Sequence, residues 1–287
     1  MRTGARITQL NKNEHHRDSE MKSQDRSHLL LSLPAVIMPT GAFPFFTIRG
    51  GGVSTGGYES LNLGMHVGDD RVAVQQNRKR LQECLRPGGQ VLCLINQVHG
   101  NKAVLADPSG AVLDADALVT DKRGVAIGVM TADCAPVLFY DPVGRVIGAA
   151  HAGWRGALNG IVESCIDLME TLGGDARRMT AIIGPTIRPP NYEVDEPFFN
   201  TFQEYARQEP GMNVEKFFLS LANPGRFQFN LPQFISERLR KRGVPQEGIH
   251  DAGTCTFKNE KLFFSHRRSS VRGEGACGRQ MGGIVLV

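Results

Sequence analysis

The chain of 287 residues lacks long apolar runs, close cysteine pairs and any large surplus of charge. Its apolar segments, for example residues 91–95 and 124–130, are far shorter than the roughly 20 residues that a membrane-spanning helix needs. A formal net charge of +4, from 33 basic and 29 acidic residues, argues against a dedicated nucleic-acid binder. We therefore expect no membrane span and no nucleic-acid partner.

The six cysteines are scattered and form no CxxC pair, so the sequence contains neither a zinc ribbon nor a disulfide scaffold. Any metal site would have to be assembled by the fold from distant residues. The polar first 27 residues also lack the apolar stretch of a secretory signal, which favours a cytoplasmic protein.

What is present is a polar beginning followed by a globular pattern. Residues 1 to about 28 are mostly polar and show no apolar period, and we predict a flexible N-terminal extension over residues 1–38. Residues 39–287 alternate apolar strands with amphipathic helices and contain no linker, which predicts one continuous domain. Predicted helices cover residues 72–85 (capped by Asp69 or Asp70 and stopped at Pro87-Gly88), 157–172, 196–208 and 231–242 (capped by Asn230). Predicted strands cover residues 91–95, 124–130, 137–140, 146–150, 181–183 and 283–287, with a hairpin over 255–265.

Three predicted strands lead into residues that can bind a soft or borderline metal. His99 follows the first, Cys134 follows the second and His151 follows the third. If these strands are neighbours that point the same way, two imidazoles and one thiolate meet. Three protein ligands leave one tetrahedral position open, as in catalytic zinc sites. Taken one at a time, each residue could equally be an ordinary loop histidine or a buried thiol.

Arginines beside glycines suggest where an anion could bind. Arg155 stands in a glycine turn that leads into the helix predicted from Ala157, and helix starts attract anions. Arg49 precedes a run of glycines, and Arg267 follows His266. Each arginine could instead pair with an acid or lie on a solvated surface.

The chain closely resembles the YfiH family, also called laccase-domain or polyphenol oxidase proteins, across residues 43–287. The resemblance rests on many ordered motifs, among them Gln97-Val98-His99-Gly100, Thr131-Ala132-Asp133-Cys134 and His151-Ala152-Gly153-Trp154-Arg155-Gly156. Further matches lie at residues 46–49, 51–54, 61–64, 66–70, 77–78, 114–120, 183–185, 192–194, 255–256, 263–265, 267–268 and 278–280. His266 replaces the usual tyrosine, and Cys277 replaces the usual threonine.

This resemblance implies a fold, a metal and an activity. The fold would be α+β, a single domain of mixed β-sheets flanked by helices. Zinc would be held by His99, Cys134 and His151. The activity would be phosphorolysis of adenosine, inosine and S-methyl-5′-thioadenosine, together with deamination of adenosine. Asp133 is the carboxylate to test first as a proton carrier, or else it anchors its own turn. Arg49, Asn62, Arg155, His266 and Arg267 are the candidates for binding nucleoside and inorganic phosphate.

Two other enzyme classes remain open, the first from the residues themselves and the second from the family resemblance. A cysteine hydrolase would use Cys134 as nucleophile and His151 as base. A peptidoglycan-editing hydrolase would act on a precursor such as UDP-MurNAc-L-Ser. A multicopper laccase is disfavoured because its several copper sites need more histidines than this chain supplies. The chain has eight, three of them in the extension.

Overall fold

The computed structural model describes residues 29–31, 40–85, 91–209 and 211–287. The predicted extension therefore lies outside the described residues except for 29–31, as does the predicted helix stop at Pro87-Gly88. Residues 29–31 do not behave as a free tail. Leu31 donates its backbone N–H to Phe46, Leu29 accepts one from Ile48, and the Leu29 side chain is buried.

Thirteen strands and six α-helices make up the described residues. The strands are β1 (Ala42–Phe46), β2 (Val91–Cys93), β3 (Ala103–Leu105), β4 (Ala117–Thr120), β5 (Val125–Thr131), β6 (Ala135–Asp141), β7 (Val146–Ala152), β8 (Thr180–Ile183), β9 (Glu193–Asp195), β10 (Phe218–Ser220), β11 (Arg226–Phe229), β12 (Ile249–Asp251) and β13 (Gln280–Leu286). The helices are α1 (Arg71–Leu85), α2 (Trp154–Asn159), α3 (Ile161–Thr171), α4 (Glu196–Gln208), α5 (Leu231–Lys241) and α6 (His266–Arg272).

The strands form two large mixed sheets and one small one. The first sheet has the order β1-β13-β5-β2, in which only β5 and β2 are parallel. The second has the order β12-β8-β6-β7-β4-β3, with parallel pairs at its two edges. Strands β10, β11 and β9 form the small antiparallel sheet. This mixture confirms the predicted α+β class.

Apolar side chains hold the sheets and helices together as layers. Ile127 and Val129 of the first sheet pack with Leu138 and Ile147 of the second in one buried cluster. The outer face of the first sheet packs against α1, and the outer face of the second packs against α3 and α5. Strands β5, β6 and β7 are buried along their whole length, which explains their nearly continuous apolar sequences.

Two of the secondary-structure predictions are wrong in detail. The helix predicted at 157–172 begins at Trp154 and is divided at Gly160, whose positive φ of 95° is left-handed and interrupts the helical backbone. The hairpin predicted at 255–265 is absent, because Asn259 and Phe263 donate their N–H groups four residues back, in successive turns. Caps at Asp70 and Asn230 are confirmed by side-chain hydrogen bonds to the first turn of each helix.

No helix in the described parts of the chain combines the length and apolar character that crossing a bilayer requires. The cytoplasmic location stays a prediction.

Candidate metal centre and adjoining cavity

His99, Cys134 and His151 come together where the two large sheets meet. Their ligand atoms lie within 4.8 Å of one another, and no other group of three such residues occurs in the described residues. His99 follows β2, Cys134 lies in the turn that joins β5 to β6, and His151 lies within β7. Only β2 and β5 are parallel neighbours, since β7 belongs to the other sheet. The cluster therefore bridges the sheets instead of lining the edge of one.

The three side chains differ in exposure, which leaves one side of the cluster open. His151 is buried, Cys134 is half-buried and His99 is exposed. The two imidazole rings meet edge to face, with their centroids 4.7 Å apart. His99 adopts a left-handed φ of 59°, a conformation that is unfavourable for a non-glycine residue and that is found preferentially at functional sites.

Asp116 organises two of the three candidate ligands, and sequence reasoning gave it no role. Its buried carboxylate accepts N–H groups from His99 at 3.0 Å and from Gly100 at 2.6 Å. His151 donates its Nδ1–H to the same carboxylate at 2.8 Å. The Nε2 atom of His151 is thereby left as the basic nitrogen, a typical arrangement for a metal-binding histidine. Burial raises the pKa of Asp116, but the hydrogen bonds from His151 and the backbone outweigh burial and lower it.

The cluster also favours a charged thiolate. Burial by itself raises the pKa of the Cys134 thiol, but the adjacent imidazoles of His151 and His99 outweigh it and lower the pKa to about 6. Burial lowers the pKa of His151, yet the Cys134 thiolate and Asp116 together raise it to about 9. Cysteine binds metals as the thiolate, so Cys134 is in its ligating form near neutral pH.

A cavity of about 310 Å³ opens beside Cys134. This volume lies at the lower end of the roughly 300–1,000 Å³ range of small-molecule sites. Aromatic and apolar walls come from Trp154, Ile187, Tyr192 and Leu231. Polar groups come from Asp133, His266, Arg267 and Ser270.

Asp133 lines this cavity, but both of its carboxylate oxygens already accept hydrogen bonds. Thr256 donates its hydroxyl at 2.6 Å, Ser265 donates its hydroxyl at 3.0 Å, and Arg267 donates its backbone N–H at 2.7 Å. Its φ of 94° is left-handed. These contacts join the turn containing Cys134 to the start of α6.

The structure places three of the five predicted substrate-binding residues at or beside the cavity. His266 and Arg267 line it, and Arg267 lies over the ring of Tyr192 at 5.4 Å. The exposed Arg155 lies over the Trp154 ring at 4.4 Å. The helix that follows begins at Trp154, not at Ala157, and has only six residues.

Arg49 and Asn62 lie elsewhere. The Arg49 guanidinium donates to the backbone carbonyls of Glu59 and Glu260 and lines a separate cavity of about 370 Å³. The amide of the buried Asn62 hydrogen-bonds to Gly64, Asp69 and the N–H of Arg279. Neither residue contributes to the cavity wall beside Cys134.

Comparisons with known proteins identify the family and its fold. Residues 43–287 match the family model described as multi-copper polyphenol oxidoreductase laccase. The crystal structure of Bacillus licheniformis YfiH matches with a TM-score of 0.77 and 31% identity, over 86% of this chain and 93% of that one. The chain belongs to the YfiH family. The structure of YlmD from Geobacillus stearothermophilus matches with a TM-score of 0.78 and 31% identity, covering 90% of this chain and 99% of YlmD.

Relatives with curated names point to one activity. A protein of Pseudomonas aeruginosa named purine nucleoside phosphorylase is 42% identical over 80% of this chain and 89% of its own length. A protein of Corynebacterium glutamicum with the same activity name is 37% identical over 84% of this chain and 93% of its own length. The family model and these relatives thus carry different activity names, one oxidative and one phosphorolytic.

Proposed function

We propose that this protein is a zinc-dependent purine nucleoside phosphorylase that also deaminates adenosine. Its substrates are adenosine, inosine and S-methyl-5′-thioadenosine, which phosphorolysis cleaves to the free base and ribose 1-phosphate or its methylthio derivative. The observation that carries the proposal is the His99, Cys134 and His151 cluster beside a cavity of nucleoside-compatible size, in a chain similar to named phosphorylases.

The donor set fits zinc. Two imidazoles and one thiolate are nitrogen and sulfur ligands that zinc prefers, and three of them leave a coordination position open. Asp116 supplies the hydrogen bond that orients a zinc-binding histidine. When bound, zinc supplies Lewis acidity that activates water or polarises a leaving group.

The chain's own residues would bind and orient the nucleoside. Trp154 and Tyr192 offer aromatic surfaces against which a purine base can pack. Arg155, His266 and Arg267 provide hydrogen-bond donors at the rim. Through its three hydrogen bonds, Asp133 would hold the turn that contains Cys134 against the start of α6.

Product analysis tests the reaction. Adenosine is incubated with the zinc-loaded protein, with and without phosphate, and the products are separated by chromatography. Adenine that appears only with phosphate reports phosphorolysis, inosine reports deamination, and hypoxanthine reports both in sequence. Absence of all three products from adenosine, and of base from inosine, would rule the proposal out.

Two variants connect these products to the cluster. Cys134→Ala should lose both bound zinc and nucleoside turnover, whereas Cys84→Ala, a cysteine change on α1, should keep both. Full turnover by Cys134→Ala would contradict the metal assignment.

The lowered pKa of Cys134 beside His151 also suits a cysteine hydrolase. Chelation distinguishes the two mechanisms. We expect a strong chelator to abolish turnover and added zinc to restore it, whereas a cysteine nucleophile would continue to act without metal. Peptidoglycan editing is tested separately, by the cell-wall composition of a deletion strain.

A further inference from the structure

Two arginines close to the metal cluster have no acidic partner. Arg78 of α1 is half-buried, and its Nε donates to the Leu63 carbonyl at 2.9 Å. Arg279 is also half-buried and donates one terminal nitrogen to the carbonyls of Cys277 and Gly278, at 2.7 and 3.0 Å. Among the described residues no carboxylate lies within ion-pair distance of either guanidinium, unlike Arg178 or Arg238, which pair with Asp141 and Glu163.

The two arginines meet at one short segment of backbone. The Arg279 N–H donates to Asn62 at 2.8 Å, and the Arg279 Cγ would lie 2.9 Å from a Cβ placed on Gly64. Arg78 donates to Leu63, which lies between those two residues. The exposed His66 follows two residues after Gly64. Two arginines thus contact the chain between residues 62 and 64, and an exposed imidazole follows at residue 66.

This segment adjoins the metal cluster through Met130. The outer end of the Arg78 guanidinium lies against the Met130 sulfur at 3.9 Å. Gln97, two residues before His99, hydrogen-bonds to both the N–H and the carbonyl of Met130 at 2.8 Å. The charges also interact: burial is the largest cause lowering the pKa of His66, followed by the positive charges of Arg279, Arg78, His99 and His151.

Partly desolvated guanidinium groups without a counter-ion are unfavourable, and an anion that accepts their free N–H groups relieves this cost. The planar fork of arginine suits the oxygens of a phosphate group, and a neutral imidazole still donates one N–H. We propose that Arg78, Arg279 and His66 bind the inorganic phosphate used in phosphorolysis, an assignment that rests on the proposed function. It replaces Arg49, whose guanidinium is engaged by carbonyls at another cavity.

The reaction balances with this assignment. An oxygen of hydrogen phosphate forms a bond to C1′ of the nucleoside while the bond from C1′ to N9 of the base breaks. The electron pair of the broken bond stays on the base, and the proton of hydrogen phosphate ends on the base. The products are the free purine and ribose 1-phosphate, so no further reactant is needed.

Binding of inorganic phosphate alone tests the site without relying on turnover. Titration calorimetry of the zinc-loaded protein with phosphate is compared for the wild type, Arg78→Gln, Arg279→Gln and His66→Gln. Removal of any one of these donors should raise the dissociation constant for phosphate about tenfold or more. Arg71→Gln, which removes the same charge from an exposed position on α1, should bind phosphate as the wild type does.

Steady-state kinetics test whether the phosphate used in the reaction binds at this site. The three variants should raise KM for phosphate much more than KM for inosine. His66 is exposed, so His66→Gln keeps the test valid if either arginine variant fails to fold. Unchanged phosphate affinity in His66→Gln and in the folded arginine variants would overturn the assignment.

The phosphate could also belong to a nucleotide substrate. Titration with UDP provides that comparison, and binding of UDP without any binding of inorganic phosphate would overturn the inorganic assignment. If the wild type binds phosphate through these residues but forms no ribose 1-phosphate, the proposed phosphorylase function is wrong. The proposed phosphate site is still supported in that case.

Discussion

At the scale of single residues, two acidic side chains beside the cluster differ in their contacts. Asp116 hydrogen-bonds to a candidate metal ligand and to the backbone of another, so it acts on the geometry of the cluster. Asp133 accepts from Thr256, Ser265 and the backbone of Arg267. With both oxygens engaged, the contacts of Asp133 favour an anchoring role over proton transfer. Its catalytic role stays a prediction, and the two roles have different consequences on substitution.

Asp116→Asn should weaken zinc binding about 10- to 100-fold, because the amide no longer favours the Nδ1–H form of His151 and cannot accept all four N–H groups. Competition with a chromophoric chelator measures this affinity. Asp114→Asn is the matched control, since Asp114 is exposed and accepts a side-chain hydrogen bond from Asn96. Equal zinc affinities of Asp116→Asn and the wild type would show that Asp116 does not position the ligand.

Asp133→Asn should lower the free energy of unfolding by about 1–3 kcal/mol, because one amide oxygen replaces two acceptor oxygens facing three donors. Asparagine tolerates the left-handed backbone, so the change isolates the hydrogen bonds. Urea unfolding of the metal-free protein measures this free energy, and Thr256→Val should also lower it. A large fall in kcat with unchanged stability would instead support a catalytic carboxylate.

At the scale of elements, the site depends on connections more than on regular structure. The turn between β5 and β6 passes from one sheet to the other and carries both Asp133 and Cys134. The turn after β7 leads at once into α2, which places Trp154 in the cavity wall. Gly160 then redirects the chain into α3, which packs on the second sheet. We expect the direction of α2 relative to α3 to depend on this glycine.

Gly160→Ala should therefore destabilise the protein by roughly 1–2 kcal/mol, the cost of a left-handed backbone for an L-residue. An added Cβ would lie 3.5 Å from Arg238 and 3.6 Å from Glu163, which is ordinary contact, so conformation and not crowding sets the cost. Thermal unfolding measures the change. Gly50→Ala, at a glycine without positive φ and with only an ordinary contact to Ile48 at 3.9 Å, should shift stability by less than about 0.5 kcal/mol. Equal effects of the two substitutions would contradict this explanation.

At the scale of the whole molecule, the sequence predicts the elements better than their relations. The apolar runs of β5, β6 and β7 identify these strands because burial on both faces needs such runs. The caps at Asp70 and Asn230 can also be predicted from the sequence, because each side chain bonds to an N–H group two or three residues further along the chain. The hairpin at 255–265 fails because Phe263 and Phe264 are both buried, so their apolar character does not reflect strand alternation.

In the candidate site, too, the sequence predicts individual residues better than the contacts between them. His99, Cys134 and His151 stand out because each follows or ends an apolar strand. Asp116 stands between Ala115 and Ala117, and its acidic side chain in an apolar segment is the one local signal of its role. That role arises only because β4 pairs with β7, which brings His151 next to it. Tertiary pairing of this kind cannot be read from spacing along the chain.

The distribution of ligands over the described residues predicts one metal ion at the cluster of His99, Cys134 and His151. Among the described residues only one group of three histidine, cysteine or acidic ligands exists, whereas a multicopper centre needs several copper sites. Metal-free protein titrated with zinc or with copper should therefore bind one equivalent of either ion, as measured by plasma emission after gel filtration. The copper-loaded protein should not oxidise a phenolic substrate above the rate of the same protein carrying Cys134→Ala. Several tightly bound copper ions per chain, with phenol oxidation that depends on Cys134, would contradict both the single site and the proposed nucleoside chemistry.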